Sequence, residues 1–165
     1  MRKRRRRGEA LDELLMDTTY LLPVFGVGLK LKNYERKFPE MLNKYSVSYN
    51  PVSVVEAKWI ILRLLKKKPG KRETLLERFR KGLTALLNDE RITQTALTNP
   101  DVEEIADKLL ELGLNDYFDR MIYATATSHG GILLTEDREL HRLAEEENVP
   151  RPSKVLKWVD LASSL

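Results

Sequence analysis

Short apolar runs alternate along the chain with longer segments whose apolar residues recur every three or four positions. The short runs predict strands and the longer segments predict amphipathic helices. The runs that predict strands are residues 11–16, 45–49, 91–97, 132–135 and 154–161. The helical segments are residues 34–44, 51–65, 73–87, 99–113, 115–131 (ending in a glycine turn) and 136–148. This alternation predicts an α/β fold with a parallel sheet of four to five strands and helices on both faces.

The composition of the chain limits the classes of protein to which it can belong. With 165 residues and 42% apolar residues, residues 11–165 are expected to form a single domain with a hydrophobic core. No apolar run approaches the roughly 18 residues that span a bilayer, so no membrane association is predicted. The absence of cysteine excludes disulfides, thiolate metal sites and cysteine nucleophiles. We therefore expect a cytoplasmic protein.

Positive charge is concentrated at the N-terminus. The segment MRKRRRR contains six of the 29 basic residues, and the remaining 23 face 25 acidic residues, a net charge of −2. Residues 1–10 are therefore expected to form a basic, disordered arm on a mildly acidic body. Such arms often contact nucleic acid or anionic surfaces, although an unstructured extension without function explains the pattern equally well.

Four acidic residues follow predicted strands or open predicted helices. Asp17 ends the first apolar run, and Asp137 follows the run ILLT, whose last residue is Thr135. Glu56 lies early in the second helix, and Asp119 lies near the start of the helix before the fourth strand. In parallel sheets, ligands bind at the carboxyl ends of the strands. The topology is therefore expected to bring these four carboxylates to one edge of the sheet.

Each of these acids also has a structural interpretation. Asp17 and Asp137 suit helix starts, and Glu56 forms a capping box if Ser53 is the cap. A helix that begins at Asn50-Pro51 places Glu56 one turn deeper, in an apolar stretch where a carboxylate needs a partner. In the helical segment 115–131, Asp116 is better placed than Asp119 as the N-terminal cap. Asp116 therefore either supplements a site or only caps the helix.

Clustered carboxylates repel one another unless a cation neutralises them. A set of oxygen ligands without a histidine or cysteine pattern suits a hard divalent cation, Mg²⁺ or Mn²⁺, rather than Zn²⁺. Such ions serve phosphoryl chemistry by activating water and neutralising charge on the departing oxygens.

The motifs LLMDTTYLLP, VSVVEAKW and DRMIYATATSHGGILLTEDREL, with the terminal strand, resemble the PIN-domain ribonucleases. The type that they resemble is the VapC-toxin-like PIN domain, with an archaeal source as the expectation. The resemblance covers most of residues 11–160 and implies a three-layer α/β/α sandwich. It identifies Asp17, Glu56, Asp119 and Asp137 as the catalytic and metal-binding set.

The resemblance also implies how the site works. Metal-dependent hydrolysis of RNA phosphodiester bonds would use one or two Mg²⁺ or Mn²⁺ ions, and the RNA would be single-stranded or structured. Thr18 and Thr135 would support the neighbouring carboxylates, and Asp116 is a further candidate ligand. His129 and His141 are expected to be non-catalytic. A homodimer is expected, and an antitoxin is the expected protein partner if the chain is the toxin of a type II toxin–antitoxin pair.

A basic segment is the candidate RNA-binding surface. Residues 63–81 contain nine Lys or Arg against two Glu. Phosphate contacts by basic side chains dominate nucleic-acid affinity. The residues favoured for RNA contact are Lys66, Lys67, Lys68, Lys71 and Arg72. A solvated helical face is the alternative. Tyr117 and Tyr123 are candidates for stacking on bases, although they suit the core or its rim as well.

Three other functions compete with the toxin interpretation. A PIN-like RNA-processing nuclease would have no antitoxin. A non-catalytic PIN-like domain would only bind RNA or protein, and retention of all four acids disfavours it. A phospho-receiver-like domain shares the layered fold, but such domains need paired acids at the end of strand one and a lysine after a later strand, and both are missing here.

Overall fold

The centre of the molecule is a parallel sheet, seen in a computed structural model that describes residues 10–165. Five strands occur in this part of the chain: β1 (Glu13–Met16), β2 (Ser46–Tyr49), β3 (Ile92–Gln94), β4 (Ile132–Leu134) and β5 (Lys154–Leu156). Their order across the sheet is β3-β2-β1-β4-β5, and every neighbouring pair is parallel. The fold is therefore the PIN-like α/β/α sandwich that the sequence predicts.

Helices connect the strands. Residues 10–165 contain seven α-helices: α1 (Tyr34–Lys44), α2 (Val52–Lys67), α3 (Arg72–Leu87), α4 (Pro100–Glu111), α5 (Tyr117–Ser128), α6 (Arg138–Glu145) and α7 (Trp158–Ser164). Short 3-10 turns follow β1 at Thr18–Leu21 and join α2 to α3 at Pro69–Lys71. No helix in the described part of the chain is long and apolar enough to cross a membrane.

Two hydrophobic clusters cover the two faces of the sheet. Side chains of a strand alternate between faces, so Leu14 and Met16 enter one cluster and Leu15 enters the other. The first cluster contains the buried sides of α1, α2, α3 and α7, and the second contains those of α4, α5 and α6. Leu14, Leu15 and Met16 of β1 and all of the apolar β4 are thus buried, as residues of parallel strands usually are, whereas Glu13 at the start of β1 is exposed.

The connections place a reversal of strand order at the centre of the sheet. From β1 the chain moves outward to β2 and β3, and then returns to β4 on the other side of β1. The register pairs Met16, the last residue of β1, with Leu134, the last residue of β4. The carboxyl ends of these two strands therefore lie side by side at the switch point, where open α/β sheets bind ligands.

The last predicted strand is shorter than the sequence indicated. Residues 154–161 were expected to be one strand, but β5 ends at Leu156 and Trp158 begins α7. The Trp158 N–H donates to Glu136 Oε1 at 2.7 Å, and Trp158 and Leu161, three residues apart, are both buried on one side of α7. The expected strand at residues 91–97 is likewise limited to β3. The basic arm expected at residues 1–10 lies outside the described residues apart from Ala10.

One glycine allows α3 to approach the loop after β1. A Cβ atom added at Gly82 would lie 2.1 Å from the Val24 carbonyl oxygen and 3.1 Å from the Phe25 Cα. Because backbone atoms cannot yield as a flexible side chain does, a larger residue at this position would force α3 outward.

Candidate active site

Asp17 lies at the end of β1 and is held by the backbone and by a neighbouring strand. Its N–H donates to the Leu134 carbonyl oxygen at 3.0 Å, which extends the pairing with β4 by one residue. Its carboxylate accepts the Thr18 N–H at 2.6 Å and the Thr135 hydroxyl at 2.6 Å. The side chain is only 6% exposed. The carboxylate is therefore fixed in place at the switch point.

Glu56 lies on α2 and faces the same place. The Thr18 hydroxyl donates a short hydrogen bond to Glu56 Oε2. The capping box with Ser53 is not formed, because Asn50 Oδ1 accepts the Val52 N–H at 2.8 Å and serves the start of the helix instead. Among the described residues, the buried Ser53 hydroxyl has no hydrogen-bond partner. Thr18 thus connects the end of β1 to Glu56.

The two aspartates of α5 have different surroundings. Asp116 is exposed and caps the helix, its Oδ1 accepting the Asp119 N–H at 3.1 Å. The Asp119 side chain is half-buried in the cleft, and no donor in residues 10–165 makes a hydrogen bond to its carboxylate. The protein therefore leaves the Asp119 carboxylate unpartnered beside three other acids.

Asp137 both caps α6 and lines the cleft. Its Oδ1 accepts the N–H groups of Glu139 and Leu140, at 2.8 and 3.0 Å, and so caps α6. The Asp137 N–H in turn donates to the Thr135 hydroxyl oxygen at 3.1 Å. Thr135 therefore connects Asp137 to Asp17, since the same hydroxyl donates to Asp17.

Burial and mutual repulsion raise the pKa values in this cluster. Burial raises the pKa of Asp119 to about 8, and the charges of Asp17, Asp116, Asp137 and Glu56 add to this effect. Burial also raises the pKa of Asp17, against the opposing effect of its two hydrogen bonds. Burial likewise raises the pKa of Glu56. These shifts mark a site where negative charge is in excess of what the protein neutralises.

The four carboxylates line one cleft of about 340 Å³ together with Thr18, Thr19, Ile60 and Glu136. Glu136 is the residue that the sequence interpretation did not single out. Its Oε1 accepts the Tyr20 hydroxyl at 2.6 Å and the Trp158 N–H at 2.7 Å, which ties α7 to the cleft. The pair of acids in the sequence TED could have indicated Glu136 as a candidate. Its contact with Tyr20 could not be predicted, because the two residues are 116 positions apart in sequence.

The donor chemistry of the cleft suits a hard divalent cation, because it consists of carboxylate and hydroxyl oxygens and includes the unpartnered Asp119. Within residues 10–165, however, no three acidic or histidine side chains lie close enough together to form a ready-made cation site. The cap on Asp137 and the hydrogen bonds to Asp17 and Glu56 occupy part of their oxygens. Cation binding would thus require small side-chain rotations.

The remaining candidates lie elsewhere. Tyr123 is fully buried in the second cluster, so the core alternative holds for it and it does not stack on bases, whereas Tyr117 is 51% exposed. His129 is exposed at the end of α5, and His141 pairs a ring nitrogen with the Thr135 carbonyl oxygen at 2.8 Å. Neither histidine lines the cleft.

The predicted RNA-binding residues are all exposed, at the end of α2, the 3-10 turn and the start of α3. Two of them, Lys66 and Arg72, line a groove of about 430 Å³ beside α2. Lys67, Lys68 and Lys71 are exposed outside that groove.

The fold and the acidic cleft define a class of α/β protein with a carboxylate site at the topological switch point. The chain belongs to the PIN domain family, whose model matches residues 14–146. The family is generally one of nucleases that use divalent metals. No protein of curated function matches the sequence.

Two solved structures have a similar fold. The crystal structure of PAE2754 from Pyrobaculum aerophilum is similar with a TM-score of 0.60 and 20% identity, covering 94% of this chain and 97% of that one. The crystal structure of VapBC2 from Rickettsia felis, bound to a DNA fragment from their promoter, is similar with a TM-score of 0.60 and 13% identity. That comparison covers 88% of this chain and 98% of the other.

Proposed function

We propose that the protein is a metal-dependent ribonuclease that hydrolyses RNA phosphodiester bonds, with residues 11–165 as a single PIN-like domain. The observation that carries the proposal is the cleft at the switch point, where Asp17, Glu56, Asp119 and Asp137 converge and the Asp119 carboxylate lacks a donor. A half-buried carboxylate with a pKa of about 8 is unfavourable in its charged form, so a bound proton or a bound cation stabilises it.

In this proposal, Asp17, Asp119 and Asp137 would hold Mg²⁺ or Mn²⁺, with Glu56 as a further ligand and Asp116 as a contributor of charge. Bound there, the cation would activate a water nucleophile and neutralise charge on the phosphate. Thr135 would orient Asp17, because its hydroxyl donates to Asp17 Oδ2. Thr18 would orient Glu56 in the same way.

We further propose that the basic segment with Lys66, Lys67, Lys68, Lys71 and Arg72 contacts the RNA backbone. An acidic cleft repels phosphate, so a basic surface close to it would offset that repulsion. The segment meets this requirement because Glu56 and Lys66 belong to the same helix, α2.

The biological setting is proposed from similarity. One structural neighbour is named as the VapBC2 complex bound to promoter DNA. By analogy, we propose that a small antitoxin protein covers the acidic cleft of this chain, and that the chain forms a homodimer. An RNA-processing nuclease without an antitoxin is the alternative, and the absence of an antitoxin gene beside the chain's own gene would favour it.

The decisive experiment is cleavage of an end-labelled single-stranded RNA in Mn²⁺, in Mg²⁺ and in EDTA. It compares the natural protein with Asp17→Asn and Asp119→Asn, and with Asp107→Asn as the matched control on the exposed side of α4. We expect metal-dependent cleavage that both cleft variants lose and the control keeps. Equal cleavage by all four proteins would contradict the proposed site.

A further inference from the structure

The outer side of α2 has an apolar surface that the rest of the described chain does not cover. Trp59 is 58% exposed, and Val55 and Leu62 are 60% and 40% exposed. Trp59 and Leu62 line the groove of about 430 Å³ with Leu65 and Pro69. Large exposed aromatic side chains beside a groove often mark a binding surface.

The rim of this groove is positively charged. Arg63, Lys66 and Arg72 line it, and none of the three forms an ion pair with another residue in 10–165. A neighbouring depression of about 570 Å³ shares Pro69 and Arg72 with the groove and adds Arg80 as well as one acid, Glu73. The surface therefore combines an aromatic ring with several cations. Single-stranded nucleic acid complements both, because its bases stack on aromatic rings and its phosphates contact cations.

The groove and the acidic cleft are neighbours along α2. Glu56 and Ile60 line the cleft, whereas Trp59, Leu62, Arg63 and Lys66 line the groove. Arg63 is two helical turns from Glu56 and one turn from Trp59, so it lies close to both surfaces. Its charge acts on Glu56, partly offsetting the burial that raises the pKa of that carboxyl. From Glu56 to Lys66 the helix rises about 15 Å, the length of a few nucleotides.

We propose that the groove along α2 and the start of α3 binds the single-stranded RNA that enters the cleft, with Trp59 stacking on a base and Arg63, Lys66 and Arg72 contacting phosphates. The inference rests on the proposed ribonuclease function for the identity of the nucleic acid. It goes beyond the basic segment in assigning base contact to Trp59 and in selecting the cations that line the groove.

The test uses the two tryptophans, which differ in exposure. Trp158 is 2% exposed and its indole N–H donates to the Lys32 carbonyl oxygen at 3.0 Å, so a stacking base reaches only Trp59. A single-stranded RNA of about 10 nucleotides, a usual site size, is titrated into the Asp119→Asn protein while tryptophan emission is recorded. We expect quenching, and less quenching by a duplex of the same length, because its bases already stack on each other.

Substitutions then separate stacking from charge. Because substitutions of Trp59 remove the fluorophore, affinity is measured by the anisotropy of a fluorescein-labelled RNA of the same length. We expect Trp59→Ala to weaken affinity about tenfold or more and Trp59→Phe to restore part of it. We expect Arg72→Glu to reduce the salt dependence of binding, whereas Lys154→Glu should not. Lys154 is the matched control because it is exposed and pairs with Ile132 at the opposite edge of the sheet. Retained melting temperatures would show that all variants fold.

The outcomes distinguish this inference from the proposed function. No quenching, or equal affinity of the Trp59→Ala and unsubstituted proteins, would overturn the groove assignment even if the natural protein cleaves RNA. This would instead favour a protein partner, such as an amphipathic helix, as the occupant. Quenching of Trp59 together with weaker RNA binding by Trp59→Ala, measured with the labelled RNA, would support the groove even if the natural protein cleaves no RNA. In that case the ribonuclease proposal alone would fail.

Discussion

Helix α2 has two neighbouring surfaces of opposite character. On one side, Glu56 and Ile60 belong to the acidic cleft, whose other acids come from the end of β1, from α5 and from the start of α6. On the other side, Trp59 and Arg63 belong to the basic, aromatic groove, whose walls come from residues 59–72 alone. The cleft is assembled by long-range topology, whereas the groove is built by a local helical hairpin.

The two surfaces also differ in what would stabilise them. The cleft gathers like charges, which is costly, and the cost is visible in the raised pKa of Asp119. Such an arrangement suits a cation and a reaction. The groove leaves apolar surface and cations exposed to water, which suits a removable ligand. One helix thus brings the proposed catalytic site within two turns of the proposed RNA-binding site.

The largest effect is expected from the buried carboxylate of the cleft. Asp17→Asn should lower RNA cleavage by about 10²–10³-fold, as expected when a preorganised charge at the reacting group is removed. Affinity for the RNA oligonucleotide in the groove should change little. Rates under single-turnover conditions and fluorescence titration check the two expectations. A variant that cleaves normally would exclude Asp17 from the site.

The hydroxyl behind that carboxylate should have a smaller effect. Thr135→Val removes the donor to Asp17 Oδ2, and the loss of such supporting hydrogen bonds commonly costs about 10–100-fold in metal affinity or activity. Isothermal titration with Mn²⁺ measures the affinity. Thr127→Val is the matched control, because the Thr127 hydroxyl bonds only within α5, to the Tyr123 carbonyl oxygen. Equal Mn²⁺ affinities of the two variants would count against the supporting role of Thr135.

The pH dependence of the metal-free protein should come from the cleft. Because the folded pKa of Asp119 is about 8 and its ordinary value is 3.8, the folded state binds more protons than the unfolded state between these values. Stability should therefore fall as pH rises from about 4 to 8. We expect Asp119→Asn to flatten this fall and Mn²⁺ to oppose it near pH 8, as measured by thermal unfolding. An unchanged slope in Asp119→Asn would show that other groups cause the dependence.

A substitution that disturbs the packing of α3 should weaken RNA binding and leave cation binding in the cleft unchanged. Gly82→Ala places a methyl group against the Val24 backbone and should cost about 1–3 kcal/mol. This corresponds to a fall in melting temperature on the order of 5 °C. Because α3 carries Arg72, we expect weaker RNA binding with unchanged Mn²⁺ affinity. Gly28→Ala is the control, since a Cβ atom there meets nothing within 4 Å and Gly28 lines neither the groove nor the cleft.

The smallest effect tests which lysines matter. Lys66→Ala should lower the salt dependence of RNA binding by about 0.7 in the log–log slope, the value for one phosphate contact with a single strand. Lys67→Ala should lower it by less, because Lys67 is exposed outside the groove. Equal slopes for both variants would indicate diffuse attraction rather than contact in the groove.

Local signals were sufficient for much of the fold. The apolar runs predicted β1 and β4, and Asn99 caps α4 just before Pro100, as that pattern indicates. Local signals misplaced the last element, because the backbone of Trp158 is held by Glu136, far away in sequence. They left Tyr123 open between the core and a surface that stacks on bases, and the packing of α5 against the sheet places it in the core.

The sequence by itself determined the alternation of strands and helices, the PIN-like fold and the four acids that could meet at one sheet edge. The alternation and the positions of the acids follow from periodicity and turn chemistry, which act over a few residues, whereas the PIN-like fold is what the resemblance of the motifs implies. Only the tertiary structure decided which oxygens are already bonded, which carboxylate is unpartnered, and that Trp59 and Arg63 lie beside the cleft. Those facts depend on strand order and helix packing, which join residues that are up to 126 positions apart in contacts that no local pattern encodes.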